Sequence, residues 1–506
     1  MSPPVPPVVP TVHLVGAGPG DAGLLTRRGE ELLRAAEVVL ADALVGPGVL
    51  ALANPAAEIV TRTHSPADAP GARETNQRAL IARMIAEAQA GRRVVRLKGG
   101  DPSIFGRGTE EADALLAAGV PVEVVPGVTA AIAASGLSGI PLTHRDRAGA
   151  VCFVTGHDAG RRRERIDWRA LAAFPGTRVF YMGRRRLGRI AASLTEHGLD
   201  PATPAAVVSQ AATPRQRTVC GTVGTIAAEC DAVALPGPAI LLVGAAATAP
   251  GARGWWERRP LAGRTVACVG SEGTAAPRDA LRSKGADSVE VTLLRIEPEP
   301  GRTPAEAQAL LSEADWVAFT SKNGVTHFLE DVPDSRGLAG VKLAAVGPST
   351  AEALRDYRVR ADLVPEEFHA EALADALAPH VKGRRVLWPT CPEAKPTLAD
   401  RLTAAGAAVR RVHVYRQEPA TALPADAAAL LDAGRLDWAL IASGNLARTF
   451  AELTERSPGR ERLQVAAISE NVAAACRDAG LPVAAVAAEA TWDGLVEAVC
   501  EAEATG

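Results

Sequence analysis

Two stretches of this chain repeat one another closely. DWVAFTSKNGVTHF begins at Asp315 and DWALIASGNLARTF at Asp437. Each holds Asp-Trp, an apolar run, a serine (Ser321, Ser443), an asparagine two residues on (Asn323, Asn445) and a phenylalanine in the helical stretch that follows (Phe328, Phe450). The same offset relates LAAVGPSTAEAL at Leu343 to VAAISENVAAAC at Val465. A repeat with only two copies is too short for a solenoid and predicts two similar α/β lobes. Two further segments, LLRIEP ending at Pro298 and VYRQEP ending at Pro419, resemble each other and bracket the first copy. They read as paired crossings of a hinge, with one lobe, about 299–414, inserted into the other.

The preceding half, residues 12–247, alternates short apolar runs with Ala/Leu-rich helical stretches. VHLVGAG, AEVVLAD, RRVVRLKGG, VEVVPG, AVCFVTGH, TRVFYMG, PAAVVSQ and AILLVGA are strand candidates, several ending in Gly or Asp. This alternation predicts α/β domains whose loops at the strand carboxyl ends carry the site. Residues 248–263, TAPGARGWWERRPLAG, are rich in Gly, Pro and Arg without periodicity and predict a linker, so the second region is 264–498. Length alone, 506 residues, suggests about three domains. The linker and the repeat change that to two halves, each in two parts.

Composition narrows the partners. With 55 basic and 58 acidic residues, formal net charge −3, there is no global basic excess of the kind that nucleic acid or an anionic membrane attracts. An anionic partner would have to meet local patches. The seven cysteines are odd in number, scattered and without a C-x-x-C, so neither a disulfide framework nor a zinc site is expected. His144 and His157 lack a third ligand at metal spacing, and no metal is assigned. The N-terminus has no leader pattern, and no apolar run approaches a membrane span. A cytoplasmic protein is expected.

GAGPGD, Gly16 to Asp21, follows a strand and precedes a helical stretch, where bare backbone can approach a ligand. A dinucleotide turn is one reading, with Asp42 at the distance of a ribose-binding acid, but the third glycine comes one residue early and Pro19 intervenes. A purely structural turn is another, and this motif alone leaves both open.

Two more loops, LKGGDPSIFGRGTEE (Leu97 to Glu111) and VVPGVTAAIAASGLSGIPLTHRD (Val124 to Asp146), join it. Together with TGH at Thr155 and FYMG at Phe180, they closely resemble the tetrapyrrole methylases, and within them uroporphyrinogen-III C-methyltransferase. The resemblance implies two α/β domains with S-adenosylmethionine held between them. Carried over by position, it implies cofactor contacts at Pro19, Gly99, Gly100, Asp101, Ile104, Thr129, Ala130, Met182 and Ala211, the last where relatives often have Gly. Asp42, in VLADALV, matches the acid proposed as general base, although Ala43 stands where relatives commonly carry Arg. Arg62, in VTRTHS, takes the place of a basic residue proposed as proton donor. A guanidinium stays charged far above neutral pH, so Arg62 suits a substrate carboxylate better. The implied substrate, uroporphyrinogen III, is an octacarboxylate, for which Arg107, Arg145 and some of Arg161, Arg162, Arg163 and Arg165 are candidate anchors. For any single member of that run, a solvated loop is the plainer reading.

The second half resembles uroporphyrinogen-III synthase through FTSKNGV at Phe319, AAVGPSTAEAL at Ala344, VPEEFHAEAL at Val364, VLWPTCPEAKPTL and VYRQEP. The family has two α/β lobes on a two-stranded linker, the shape that the repeat suggests independently. Tyr415 matches the tyrosine proposed to assist loss of hydroxyl from hydroxymethylbilane; a hinge aromatic is the other reading. Ser321, Ser349, Thr350 and Ser443 are candidate substrate contacts or ordinary helix caps. The expectation is a bifunctional enzyme that closes hydroxymethylbilane to uroporphyrinogen III and methylates it at carbons 2 and 7 to precorrin-2, with a homodimer through the methylase half left open. The rival is an active methylase whose second half is only a ligand-binding or regulatory module, motivated by CVGSEGTAA, which stands where many relatives have a T-R-P-like sequence.

Overall fold

The computed structural model describes residues 10–61, 72–156, 166–248, 254–272, 274 and 276–505. The chain divides into two compact units, one of Met1–Arg264 with Asp279–Asp287, the other of Thr265–Arg278 with Ser288–Gly506.

The first unit holds two five-stranded sheets. One contains β1 (Val12–Gly16), β2 (Val38–Ala41), β3 (Glu58–Thr61), β4 (Val94–Lys98) and β5 (Val122–Val125), all parallel, in the order β3-β2-β4-β1-β5. Its inner strands read as near-continuous apolar runs because both faces are covered. Val15, Val39, Val95 and Leu97 pack into one core, and Val12, Leu14, Val38, Leu40 and Val94 into another on the opposite face. Each such side chain contributes about 1.5–3 kcal/mol by leaving water. The other sheet contains β6 (Val151–Thr155), β7 (Thr177–Tyr181), β8 (Pro204–Ser209), β9 (Arg217–Thr222) and β10 (Ala239–Val243), in the order β6-β7-β10-β8-β9. Only its β6–β7 pair is parallel. The helix Ala130–Ser138 joins the two sheets: Ala131 and Ala134 share a core with Val179, Tyr181, Val208 and Leu242.

The second unit begins with β11 (Thr265–Ser271) and β12 (Asp287–Pro298). β13 (Trp316–Phe319), β14 (Lys342–Ala345), β15 (Arg385–Thr390) and β16 (Ala408–His413) then form their own parallel sheet, β14-β13-β15-β16. β17 (Tyr415–Pro419), β18 (Trp438–Ile441), β19 (Gln464–Ala467) and β20 (Val483–Val486) return to the first sheet, β17-β12-β11-β18-β19-β20. β12 and β17 run antiparallel, with Pro298 opposite Tyr415 and Leu294 opposite Pro419. These are the two similar segments of the sequence.

The repeat has a structural counterpart in Asp315 and Asp437. Asp437 Oδ2 accepts from the Thr265 N–H at 2.7 Å, and Asp315 Oδ2 accepts from the Arg385 N–H at 2.8 Å. Each carboxylate pins the start of a neighbouring parallel strand. Among the described residues, no helix is long and apolar enough to cross a membrane, and all seven cysteines are free thiols.

Candidate active site

In the first unit, three loops leave the carboxyl ends of the adjacent strands β4, β1 and β5 and lock together through glycine. The Gly18 N–H donates to the Gly100 carbonyl at 3.2 Å, and the Gly100 N–H donates back to Gly18 at 2.8 Å. Both have positive φ, +71° and +69°. A Cβ on Gly127 would lie 2.3 Å from the Gly100 carbonyl oxygen, and one on Gly16 would lie 2.6 Å from Gly127 Cα. No side chain fits at those approaches. GAGPGD also leads into a 3-10 turn, Ala22–Leu24, capped by Asp21, before the α-helix starts at Arg27. Its glycines therefore seat one loop against another and do not open directly onto the α-helix N-terminus that a pyrophosphate turn requires.

Asp101 secures the junction. Its Oδ1 accepts from the Ser103 N–H at 2.7 Å and its Oδ2 from the Gly127 N–H at 3.0 Å. A Cβ on Gly20 would meet Thr213 Cγ2 at 2.9 Å, so the segment around Pro19 borders the turn that holds Ala211. Thr129 Oγ1 lies 2.8 Å from Tyr181 Oη, which also accepts from the Ala131 N–H at 3.2 Å. Burial pushes the Tyr181 phenol above its ordinary pKa, and its ring lies 5.0 Å from that of Phe105. Met182 follows, 53% exposed and with φ +55°. Ile104 packs on the core shared by Tyr181 and Ala211. Pro19, Gly99, Gly100, Asp101, Ile104, Thr129, Ala130, Met182 and Ala211 thus fall on one continuous set of loops.

Backbone strain marks the same place. Among the described residues, seven non-glycine residues have positive φ, and five of them, Phe105, Arg107, Met182, Gln210 and Ala212, lie on these loops. Such conformations cost about 1–3 kcal/mol each and persist where surrounding structure over-determines them. Bare backbone at Gly99 and Gly100, apolar Ile104 and Met182, and the Asp101 carboxylate form a donor set that fits a cationic sulfonium with an adenosyl group.

In the second unit, Ser321 caps the helix Lys322–Leu329 and Ser443 caps Gly444–Thr454, their hydroxyls accepting from the Gly324 N–H at 3.0 Å and the Leu446 N–H at 3.3 Å. Ser321 Oγ also lies 3.1 Å from Tyr415 Oη. Tyr415 is buried, and desolvation pushes its phenol up to about 12; Ser321, the Cys391 thiol and Gln417 are its hydrogen-bond neighbours. The His327 ring is 5.9 Å from the Tyr415 ring. Ser349 and Thr350 are not caps. They sit in the first turn of Pro348–Asp356, behind Gly347, with Ser349 exposed and Thr350 buried.

Comparison with known proteins assigns each half. Residues 11–227 match the model of the tetrapyrrole (corrin/porphyrin) methylases, and residues 275–497 match that of uroporphyrinogen-III synthase HemD. A porphyrin biosynthesis protein HemD of Ruminiclostridium josui is 36% identical over 73% of this chain and 74% of its own length. The chain belongs to the tetrapyrrole methylases in its first half and to the uroporphyrinogen-III synthases in its second. A siroheme synthase of Neisseria meningitidis serogroup C is 47% identical over 46% of this chain, which spans about half (47%) of that protein. The uroporphyrin-III C-methyl transferase from Thermus thermophilus, solved with S-adenyl homocysteine, is 41% identical over 47% of this chain and 98% of its own, with a TM-score of 0.40.

Of the substrate contacts expected in the methylase half, Arg107 lies on these loops. Arg62, His157, Arg161, Arg162, Arg163 and Arg165 lie outside the described residues. Arg107 pairs with Glu110 at 2.6 Å, and Arg145 is exposed. Asp42 directly follows β2, its N–H on the Leu97 carbonyl at 2.9 Å, and its carboxylate is ion-paired to Arg96. Arg96 was not singled out from the sequence, nor were Lys98, Glu111 and Tyr181. Arg96 and Lys98 carried a legible signal: two charges, two residues apart, in an otherwise apolar strand that the parallel sheet buries. The role of Tyr181 depends on a partner on a distant helix, which no local pattern reports.

Proposed function

We propose that the chain is a bifunctional tetrapyrrole enzyme: its synthase half cyclises hydroxymethylbilane to uroporphyrinogen III, and its methylase half methylates that product at carbons 2 and 7 to precorrin-2. The observation that carries this is the presence in one chain of both matched families, whose named reactions are consecutive. Covalent linkage then raises the local concentration of the shared intermediate.

Gly99, Gly100, Asp101, Ile104, Thr129, Ala130 and Met182, with Pro19 and Ala211 beside them, would hold S-adenosylmethionine, which supplies an electrophilic methyl group when bound. The loop interlock fixes these groups before substrate arrives, and positioning of this kind supplies much of the rate of a transfer between two bound molecules. Asp42 takes the proton that the methylated macrocycle must lose to return to neutrality. Arg62, Arg107 and Arg145 answer the substrate carboxylates, Arg107 exchanging Glu110 for them.

In the synthase half, Tyr415 stays protonated throughout the working pH range and can donate its hydroxyl proton as the hydroxyl of hydroxymethylbilane departs. Ser321, Ser349, Thr350 and Ser443 offer hydroxyls or helix-start N–H groups to the substrate's carboxylates. The reading includes a cytoplasmic location and a homodimer through the methylase half. Sedimentation of the purified chain at twice its monomer mass supports the dimer, and monomer mass at all concentrations removes it.

The test is anaerobic incubation of the whole chain with hydroxymethylbilane and S-adenosylmethionine, followed by the product's mass and spectrum. A dimethylated type III product is expected. Dimethylation of added uroporphyrinogen III, with only type I isomer formed from hydroxymethylbilane, would instead leave the second half as a ligand-binding module.

A further inference from the structure

We propose that Arg96 is a positioning residue for methyl transfer, fixing Asp42 at the cleft through a buried charge cluster that Glu111 and Lys98 complete; this rests on Asp42 being the proton acceptor. Arg96 and Lys98 lie on the same side of β4, with side chains 0% and 2% exposed. Glu111, 0% exposed, receives Lys98 Nζ on Oε2 at 3.0 Å, and Arg96 Nη2 at 3.3 Å and Gln77 Nε2 at 2.8 Å on Oε1. Arg96 Nη1 donates to the carbonyls of Leu40 at 3.1 Å and Leu97 at 3.0 Å. Its remaining reach goes to Asp42, whose side chain is 24% exposed and is the one member of the four-charge cluster that reaches the surface.

Two features separate this arrangement from ordinary packing. Burying two cations and a carboxylate inside a parallel sheet is costly, and apolar residues of similar volume would fill the space at least as well. Stability alone therefore gives no reason for Arg96 and Lys98. The guanidinium is also held by carbonyls of β2 and of its own strand, so its direction is set by the sheet itself and passed on to the Asp42 carboxylate. Among the described residues, the formal charges of Arg96, Lys98, Glu111 and Asp42 sum to zero with Asp42 ionised, the form that accepts a proton.

The experiment uses the full-length chain, supplied directly with uroporphyrinogen III and S-adenosylmethionine, and measures kcat, KM and S-adenosylhomocysteine affinity. Arg96→Met should lower kcat about 100-fold, within the range that a positioned acid or base contributes, with cofactor affinity unchanged. Arg96→Lys should recover part of the loss. Since Arg96 acts through Asp42, the double variant Asp42→Asn/Arg96→Met should be no slower than Asp42→Asn alone. If Arg96→Met does not fold, Glu111→Gln replaces it with the same expectations. Full kcat in either variant, or a further slowing on the Asp42→Asn background, overturns the proposal while leaving Asp42 in place. An Asp42→Asn enzyme with full activity overturns instead the reading of Asp42 on which it rests.

Discussion

The two halves secure their sites in opposite ways. In the methylase half, loops meet backbone to backbone, with Gly16 and Gly127 at distances that exclude a side chain and Gly18 and Gly100 held at positive φ. In the synthase half, the candidate groups are hydroxyls at helix starts and one phenol on a two-stranded crossing between sheets. The first construction is rigid and intolerant; each contact of the second is replaceable at modest cost. A methyl donor and its acceptor need fixed alignment. A linear molecule that must be wrapped before it is closed needs a site that can move.

The largest expected effect tests the intolerance. Gly127→Ala places a methyl 2.3 Å from the Gly100 carbonyl, so it should cost about 3 kcal/mol and abolish S-adenosylhomocysteine binding in calorimetry. Unchanged binding would break the contrast. Next comes Tyr415→Phe, which should slow uroporphyrinogen III formation at least about 10-fold while methylation of added uroporphyrinogen III continues, since a missing proton donor costs one reaction only. The same variant has a pH signature. The Tyr415 phenol is raised from 10.0 to about 12, so its contribution to stability is complete below pH 10 and is lost as pH rises toward 12. In urea titrations across that range, Tyr415→Phe should flatten the alkaline loss of stability in the synthase half.

Smaller still is the difference between the two serines. Ser321→Ala and Ser443→Ala each remove a cap worth about 1 kcal/mol, but Ser321 also faces Tyr415, so its loss should be the greater in both stability and synthase rate. Equal losses would reduce the Ser321–Tyr415 contact to coincidence of a repeated fold. The smallest effect is a gain. Gly136 lies inside the helix Ala130–Ser138, and a Cβ added there would meet nothing within 4 Å. Gly136→Ala should therefore raise stability in thermal unfolding by about 0.5–1 kcal/mol. Such a gain marks a glycine of the methylase half outside the interlock as dispensable.

How far the sequence discloses these sites follows the same division. The repeat at Asp315 and Asp437 is legible because each carboxylate does the same job in its lobe, pinning the start of a neighbouring strand, and similar jobs leave similar letters; their partners Arg385 and Thr265, 70 and 172 residues away, are not. The hinge pair at Pro298 and Pro419 is legible for the same reason. The glycine interlock is not, because Gly18, Gly100 and Gly127 acquire their meaning from one another across long stretches of chain. GAGPGD alone could not exclude a dinucleotide turn; the Gly18–Gly100 pairing and the intervening 3-10 turn do so. The resemblance to a family supplied Met182 and Asp42, but not the Arg96 that grips the latter.

The interrupted sheet of the synthase half also sets an order of birth. β11 pairs with β18, and Thr265 is tied to Asp437, yet the whole β13–β16 sheet is translated between them. As the chain leaves the ribosome, the inserted lobe can close once His413 has emerged, while the lobe that began first waits with β11 lacking its β18 neighbour. The lobe begun first is finished last, and during that interval its unpaired strand edge is the part of the nascent protein most exposed to wrong partners.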